Sequence, residues 1–143
     1  MLFADERVSA FVHDRYRYQP DELTHVSDVA AMARNADDFV AALLHDLVED
    51  ALASWEELEA LLGDDAGRIV PALRLLTRGD EPYSAYIESI ATSGNIIALN
   101  VKTLDLFDHL SPYKRATLSM MKVGRYFSAL ERLAAVSFDL ESN

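Results

Sequence analysis

Apolar residues recur along this chain at spacings of three and four, as on helices that bury one face, and no stretch alternates strictly as a half-buried strand would. Ser, Asp, Asn, Gly and Pro punctuate the pattern. A first helix is predicted over about 2–15. Pro20 with Asp21 and Glu22 opens a second, which carries His25 and ends near Arg34-Asn35, because proline fits a first turn and acids favour the positive end of the helix dipole. Asp37 and Asp38 are expected to cap a third, whose run Phe39 to Leu44 is cut off by His45, Asp46, Glu49 and Asp50. Ser54-Trp55-Glu56-Glu57 has the form of a capping box for a short fourth helix, with Gly63 as its stop. A fifth is predicted over 65–77 with Pro71 as a kink or offset start, and 79–82 reads as a loop before a sixth that ends at Gly94. Asn95 precedes a buried helix over 96–109, and Ser111-Pro112 restarts the chain into a last helix of about 25 residues with Gly124 as a weak point. The expected fold is all-α, a compact single-domain bundle of about seven or eight helices over residues 1–143.

Composition narrows what such a bundle can do. With 143 residues, half of them apolar, the chain suits one core. It has no cysteine, which excludes disulfides, thiolate metal sites and a thiol nucleophile, so any metal must be held by carboxylates and the four histidines. A net charge of −11 argues against nucleic acid as a partner, because such binding neutralises phosphates with Lys and Arg. The charge is uneven: residues 1–65 hold 16 acids and 4 bases, whereas residues 66–143 hold 8 acids and 9 bases. Most of these carboxylates are expected to be solvated surface, with a few holding a cation. Neither a signal peptide nor a membrane span is legible, so the expected compartment is the cytoplasm.

The abrupt change at position 45 is the most informative event. If the helix continues through His45-Asp-Leu-Val-Glu-Asp50, one turn stacks His45 beneath Glu49 and Asp46 beneath Asp50. Carboxylates crowded in that way repel one another unless a cation or a shared proton relieves them. The apolar run before His45 marks the helix as central, so the charged face is expected to open into a cleft. His13-Asp14 has no acids one turn on and is read as surface or substrate periphery. Asp105 sits in an otherwise apolar run, and a buried aspartate needs a partner.

These residues carry a resemblance. A lone histidine, an adjacent His-Asp pair and a distant aspartate, here His25, His45-Asp46 and Asp105, resemble the pattern of HD-domain metal-dependent phosphohydrolases. His45-Asp-Leu-Val-Glu-Asp50 is similar to the His-Asp-x-x-Glu-Asp signature of the RelA/SpoT-type branch, which removes the 3′-pyrophosphate from guanosine tetra- and pentaphosphate. Val101-Lys-Thr-Leu-Asp105 resembles that branch's lysine-containing segment, and the likeness extends over roughly residues 7–132. It implies an HD-domain-like fold with His25, His45, Asp46 and Asp105 as ligands of one divalent metal. The analogy points to Mn²⁺, although mixed imidazole and carboxylate ligation equally admits Fe²⁺, Co²⁺, Ni²⁺ or Zn²⁺. Glu49 and Asp50 would orient a metal-bound water, take its proton, or both.

For the substrate, a small phosphorylated nucleotide, the resemblance favours Arg15, and Arg17, Arg78, Lys102, Lys114 and Arg115 are further candidate cations. Lys102 has a rival role as an ion-pair partner of the metal carboxylates. His109 stands where that branch carries an asparagine that contacts the nucleotide, and it too can hydrogen-bond a phosphate or ribose. Tyr16, Tyr18, Tyr83 and Tyr86 are candidates for base stacking or for core packing. The expected activity is that of a stand-alone metal-dependent phosphohydrolase. The alternatives are a nucleotidase or phosphodiesterase acting on another phosphorylated metabolite, and a non-catalytic metal-binding helical regulatory module. Oligomeric state is not legible.

Overall fold

The computed structural model describes residues 5–142. The chain is helical throughout: α1 (Glu6–Arg15), α2 (Pro20–Ala31), α3 (Ala36–Leu44), α4 (Trp55–Leu62), a 3-10 turn (Gly63–Asp65), α5 (Ala66–Leu76), α6 (Tyr83–Ala91), α7 (Ile96–His109), α8 (Pro112–Arg115) and α9 (Met120–Ser142). Among the described residues there is no strand, and eight helices of eight residues or more agree with the count expected from periodicity. None of these helices is long and apolar enough to cross a membrane.

One apolar core serves them all. Val12, Val29, Leu44, Leu58, Leu73, Ile90, Leu99, Leu106 and Leu133 are buried in it, so every helix longer than one turn contributes. Helix α7 runs through the middle and packs against α2, α3, α5, α6 and α9. Burial on so many sides makes its polar residues conspicuous: Lys102, Asp105 and Asp108 are all buried there. Asp38 links α3 to α7 by accepting hydrogen bonds at 3.0 Å from the side-chain amides of Asn35 and Asn100. That link ties α3 to α7 through a buried carboxylate.

Several boundaries differ from those the periodicity predicts. The first helix starts at Glu6 because the Asp5 carboxylate accepts the N–H groups of Arg7 and Val8; the predicted residues 2–4 lie outside the described residues. Helix α2 stops at Ala31, where Met32 and Ala33 tighten onto carbonyls three residues back. Asn35, not Asp37 or Asp38, caps α3, its side chain accepting from the Asp38 N–H at 2.8 Å. Pro71 lies within α5; the bond it forgoes is to the carbonyl of Gly67, which is exposed.

The largest departures lie after α3 and between α8 and α9. Helix α3 ends at Leu44, so 45–52 is a series of turns and not a continuing helix. The His45 ring takes the Ala42 carbonyl at 2.5 Å, and the N–H groups of Leu47, Ala51 and Leu52 find carbonyls three or five residues back. Ala51 closes the segment in the left-handed region at φ 60°. The predicted last helix is likewise broken, at 116–119 and not at Gly124: Thr117 folds its hydroxyl onto the Lys114 carbonyl, and Ser119 accepts from the Lys122 N–H to start α9.

Adjacent residues of α7 give a test of this packing. Leu106 is fully buried, so Leu106→Ala is expected to cost about 2–5 kcal/mol. Phe107 is 49% exposed, and Phe107→Ala should stay within about 1 kcal/mol. Urea denaturation of the two variants measures the difference, and equal losses would contradict this orientation of α7.

Candidate functional site

Three separate elements bring four polar side chains to one point. His25 comes from α2, His45 and Asp46 from the turn that ends α3, and Asp105 from the middle of α7. The Asp105 Oδ1 atom lies 2.8 Å from His25 Nε2 and 3.4 Å from His45 Nε2. Asp46 Oδ2 lies 3.3 Å from His45 Nε2 and 3.7 Å from His25 Nε2. His25, His45 and Asp105 are each more than nine-tenths buried.

The outer atom of each histidine is already committed. His25 Nδ1 donates to Asp108 Oδ2 at 2.5 Å, and His45 Nδ1 donates to the Ala42 carbonyl at 2.5 Å. Carboxylate and carbonyl oxygens accept, so each ring holds a proton on Nδ1 and points Nε2 inward, where it can take a second proton or offer a lone pair to a cation. Those two Nε2 atoms and Asp105 Oδ1 are buried without a properly directed hydrogen bond, despite the short separations. Three orphaned buried donor atoms facing one another call for a shared positive charge, a proton or a cation. The second Asp105 oxygen is spoken for by Lys102 Nζ at 2.8 Å. Lys102 is thus the ion-pair partner of a buried carboxylate, the rival role expected for it.

Without a metal the protons carry this burden. Burial alone would lower the His45 pKa, but the charges of Asp46 and Asp105 outweigh it and raise the pKa to about 10. His25 is also raised, its burial being overcome by Asp105. Burial would push Asp105 up, yet Lys102 and the surrounding histidines hold it well below the usual carboxylate range.

A cleft of about 240 Å³ opens beside the cluster. Its acidic lining, Glu22, Asp46, Glu49 and Asp50, comes from α2 and the 45–52 turns; its basic lining, Arg78, Lys102 and Arg125, comes from the α5–α6 loop, α7 and α9. Glu49 accepts the Arg78 backbone N–H at 2.7 Å, and Asp50 accepts the Tyr16 hydroxyl at 2.9 Å. Each carboxylate is therefore oriented, and of the expected one-turn stacking the Asp46–Asp50 turn is present, the Asp50 N–H donating to the Asp46 carbonyl at 2.9 Å although the segment is not a regular helix. Burial pushes both pKa values upward, more than Arg78 and Tyr16 pull them down, which brings them toward the range useful for proton transfer. Arg78 and Arg125 lie over the ring of Tyr83 at 5.4 and 4.5 Å. A larger cavity between α6 and α9 adjoins the cleft through Tyr83 and Arg125, but the titratable groups converge in the smaller one.

Arg15, expected to face the substrate, does not line this cleft. Its guanidinium donates to the Leu52 carbonyl at 2.9 Å and to Glu57 at 2.6 Å, so it pins the end of the 45–52 turns to α1 and α4. Tyr16 is buried beside it and serves Asp50, while Tyr86 is buried and donates to the Leu76 carbonyl. His13 and Asp14 are exposed, as expected. Three residues escaped the sequence reading. Asp108 orients His25 and is itself held by Lys114; it lies one turn after Asp105, a spacing that could have shown it. Glu22 lies one turn before His25 and shares its face in the same way. Arg125 had no local signal, because its place depends on the break between α8 and α9.

The elevated His45 pKa fixes the sign of a pH effect. In chelator-treated protein the folded state binds this proton more tightly than the unfolded chain, whose value is near 6.5. The stabilisation is complete below that pH and is lost as the pH rises toward about 10. Urea denaturation is expected to show stability falling across this window, with a flatter slope in His45→Gln; equal slopes in both proteins would count against the cluster's charge state. The chain matches no family model, and a search of curated proteins finds none that matches it.

Proposed function

We propose that the protein is a metal-dependent phosphohydrolase of the HD-domain kind, acting on a phosphate or pyrophosphate ester of a nucleotide. The most specific form of this reading is removal of the 3′-pyrophosphate from guanosine tetra- or pentaphosphate. One observation carries it: two buried histidines, each with Nδ1 committed elsewhere, point unsatisfied Nε2 atoms at the unsatisfied Oδ1 of a buried aspartate. The donors suit a divalent cation, with His25, His45, Asp46 and Asp105 as its ligands and Asp108 and Ala42 fixing the rings that bind it. Mn²⁺ is the choice by analogy. When bound, such an ion supplies Lewis acidity toward phosphoryl oxygens and lowers the pKa of a coordinated water.

The remaining work falls to side chains of the cleft. Glu49 and Asp50, oriented by Arg78 and Tyr16 and raised in pKa by burial, would orient a water and accept its proton. Arg78 and Arg125 would hold the phosphates, since among the described residues neither guanidinium has a carboxylate partner, that of Arg78 donating to the Glu81 carbonyl. Lys102 neutralises Asp105 from the cleft wall, so its charge is shared between that carboxylate and any anionic ligand. The cleft is thus acidic toward the metal and basic toward the rest of an anionic ligand.

Elemental analysis of purified protein and a phosphate-release panel of guanosine tetraphosphate, deoxynucleotides and cyclic nucleotides test this reading. Asp46→Ala is expected to lose both metal and turnover, whereas Glu49→Gln should keep the metal and lower kcat about 10²–10⁴-fold. Failure to bind any divalent metal, or unchanged hydrolysis by Asp46→Ala, would sink the proposal. Arg125→Ala should instead raise KM about ten-fold or more, as expected for loss of a charge-assisted hydrogen bond. An unchanged KM would remove Arg125 from phosphate recognition.

A further inference from the structure

The histidine at position 109 is better placed for the metal than for the substrate. It follows Asp105 by one turn of α7, so the two side chains project from the same face of a buried helix. Its Nε2 lies 3.4 Å from Asp105 Oδ1, and the ligand atoms of His25, Asp105 and His109 all fall within 4.8 Å of one another. That Asp105 oxygen is buried without a well-aligned hydrogen bond, so the His109 nitrogen and the Asp105 oxygen face one another with room for a shared cation. The imidazole is also held in place from both sides. Its ring lies against His25, with centroids 4.6 Å apart and a 31° tilt, and stacks on Tyr126 at 5.4 Å and 29°. It sits at the mouth of the cluster, partly exposed, where the buried ligands give way to the cleft.

We propose that His109 is a fifth protein donor to the metal, joining His25, His45, Asp46 and Asp105. This rests on the metal site proposed above and deepens it. The donor set then holds three imidazoles and two carboxylates. Imidazole suits Fe²⁺, Co²⁺, Ni²⁺ and Zn²⁺ better than it suits Mn²⁺, so the extra nitrogen shifts preference away from manganese. Tyr126 acts as a positioning residue, fixing the ring plane from α9.

The experiment uses the full chain, stripped of metal and titrated with Co²⁺ and separately with Mn²⁺. Affinity is read by calorimetry, and X-ray absorption of the cobalt form counts bound imidazoles. Three imidazoles are expected in the native sequence and two in His109→Asn. That variant should lose about ten-fold or more in Co²⁺ affinity, at least the effect of disturbing an outer-shell partner, and lose less toward Mn²⁺. His13→Asn, at an exposed site on α1, should leave the count at three. Circular dichroism checks that His109→Asn is folded, and if it is not, the count in the native sequence decides alone. Two imidazoles in the native protein, or equal Co²⁺ affinity in folded His109→Asn, overturns the role of His109 and leaves the metal site standing. No metal uptake by the native protein overturns both.

Discussion

A carboxylate in the middle of the core is the constraint around which this fold is arranged. Asp105 sits on the helix that most of the others pack against, 3% exposed, where an uncompensated charge would cost several kcal/mol. Compensation comes from Lys102 on the same helix and from histidines delivered by two others. The surroundings of those histidines follow in turn: Asp108 with Lys114 behind His25, and the ended helix α3 behind His45. Polar groups therefore run in connected layers from the centre of the bundle to its surface, and each layer fixes the next.

The same logic explains why α3 stops where it does. His45 still has helical backbone angles as the C-cap of α3, and the terminated helix leaves the Ala42 carbonyl to accept its ring N–H. The turns that follow deliver Asp46 to the cluster and leave Glu49 and Asp50 on the wall of the cleft. Helix α1 closes this segment from outside, through Arg15 on Leu52 and Tyr16 on Asp50. Those two residues act on the site without touching its centre.

How much of this was legible in the sequence depends on how far each feature is set locally. Helices α2, α4 and α7 were readable because proline, the capping box and Asn95 act within one turn. The meeting of His25, His45, Asp46 and Asp105 was readable only through their order along the chain, since nothing local dictates that three helices converge. The 45–52 turns were not readable: the apolar spacing of Leu44, Leu47 and Val48 fits a helix, and a side-chain bond to a backbone carbonyl overrides it. Arg125 and Arg15 exchanged places relative to expectation for a similar reason. Whether an arginine lines a cleft or braces a turn depends on where distant segments fold back, and short-range pattern is silent on that.

The pairing of His25 with Asp108 spans 83 residues of sequence. A centre assembled across that separation forms late, because closing so long a loop is entropically costly until the intervening helices have packed. During synthesis the acidic first half emerges well before the lysines at 102 and 114 that neutralise its partners on α7. The growing chain thus passes through a stage rich in mutually repelling carboxylates, with the histidine–aspartate cluster still open. Docking of α7 onto the earlier helices becomes the step that closes the cluster, and the order in which the ribosome delivers the residues separates folding of the first helices from assembly of the centre.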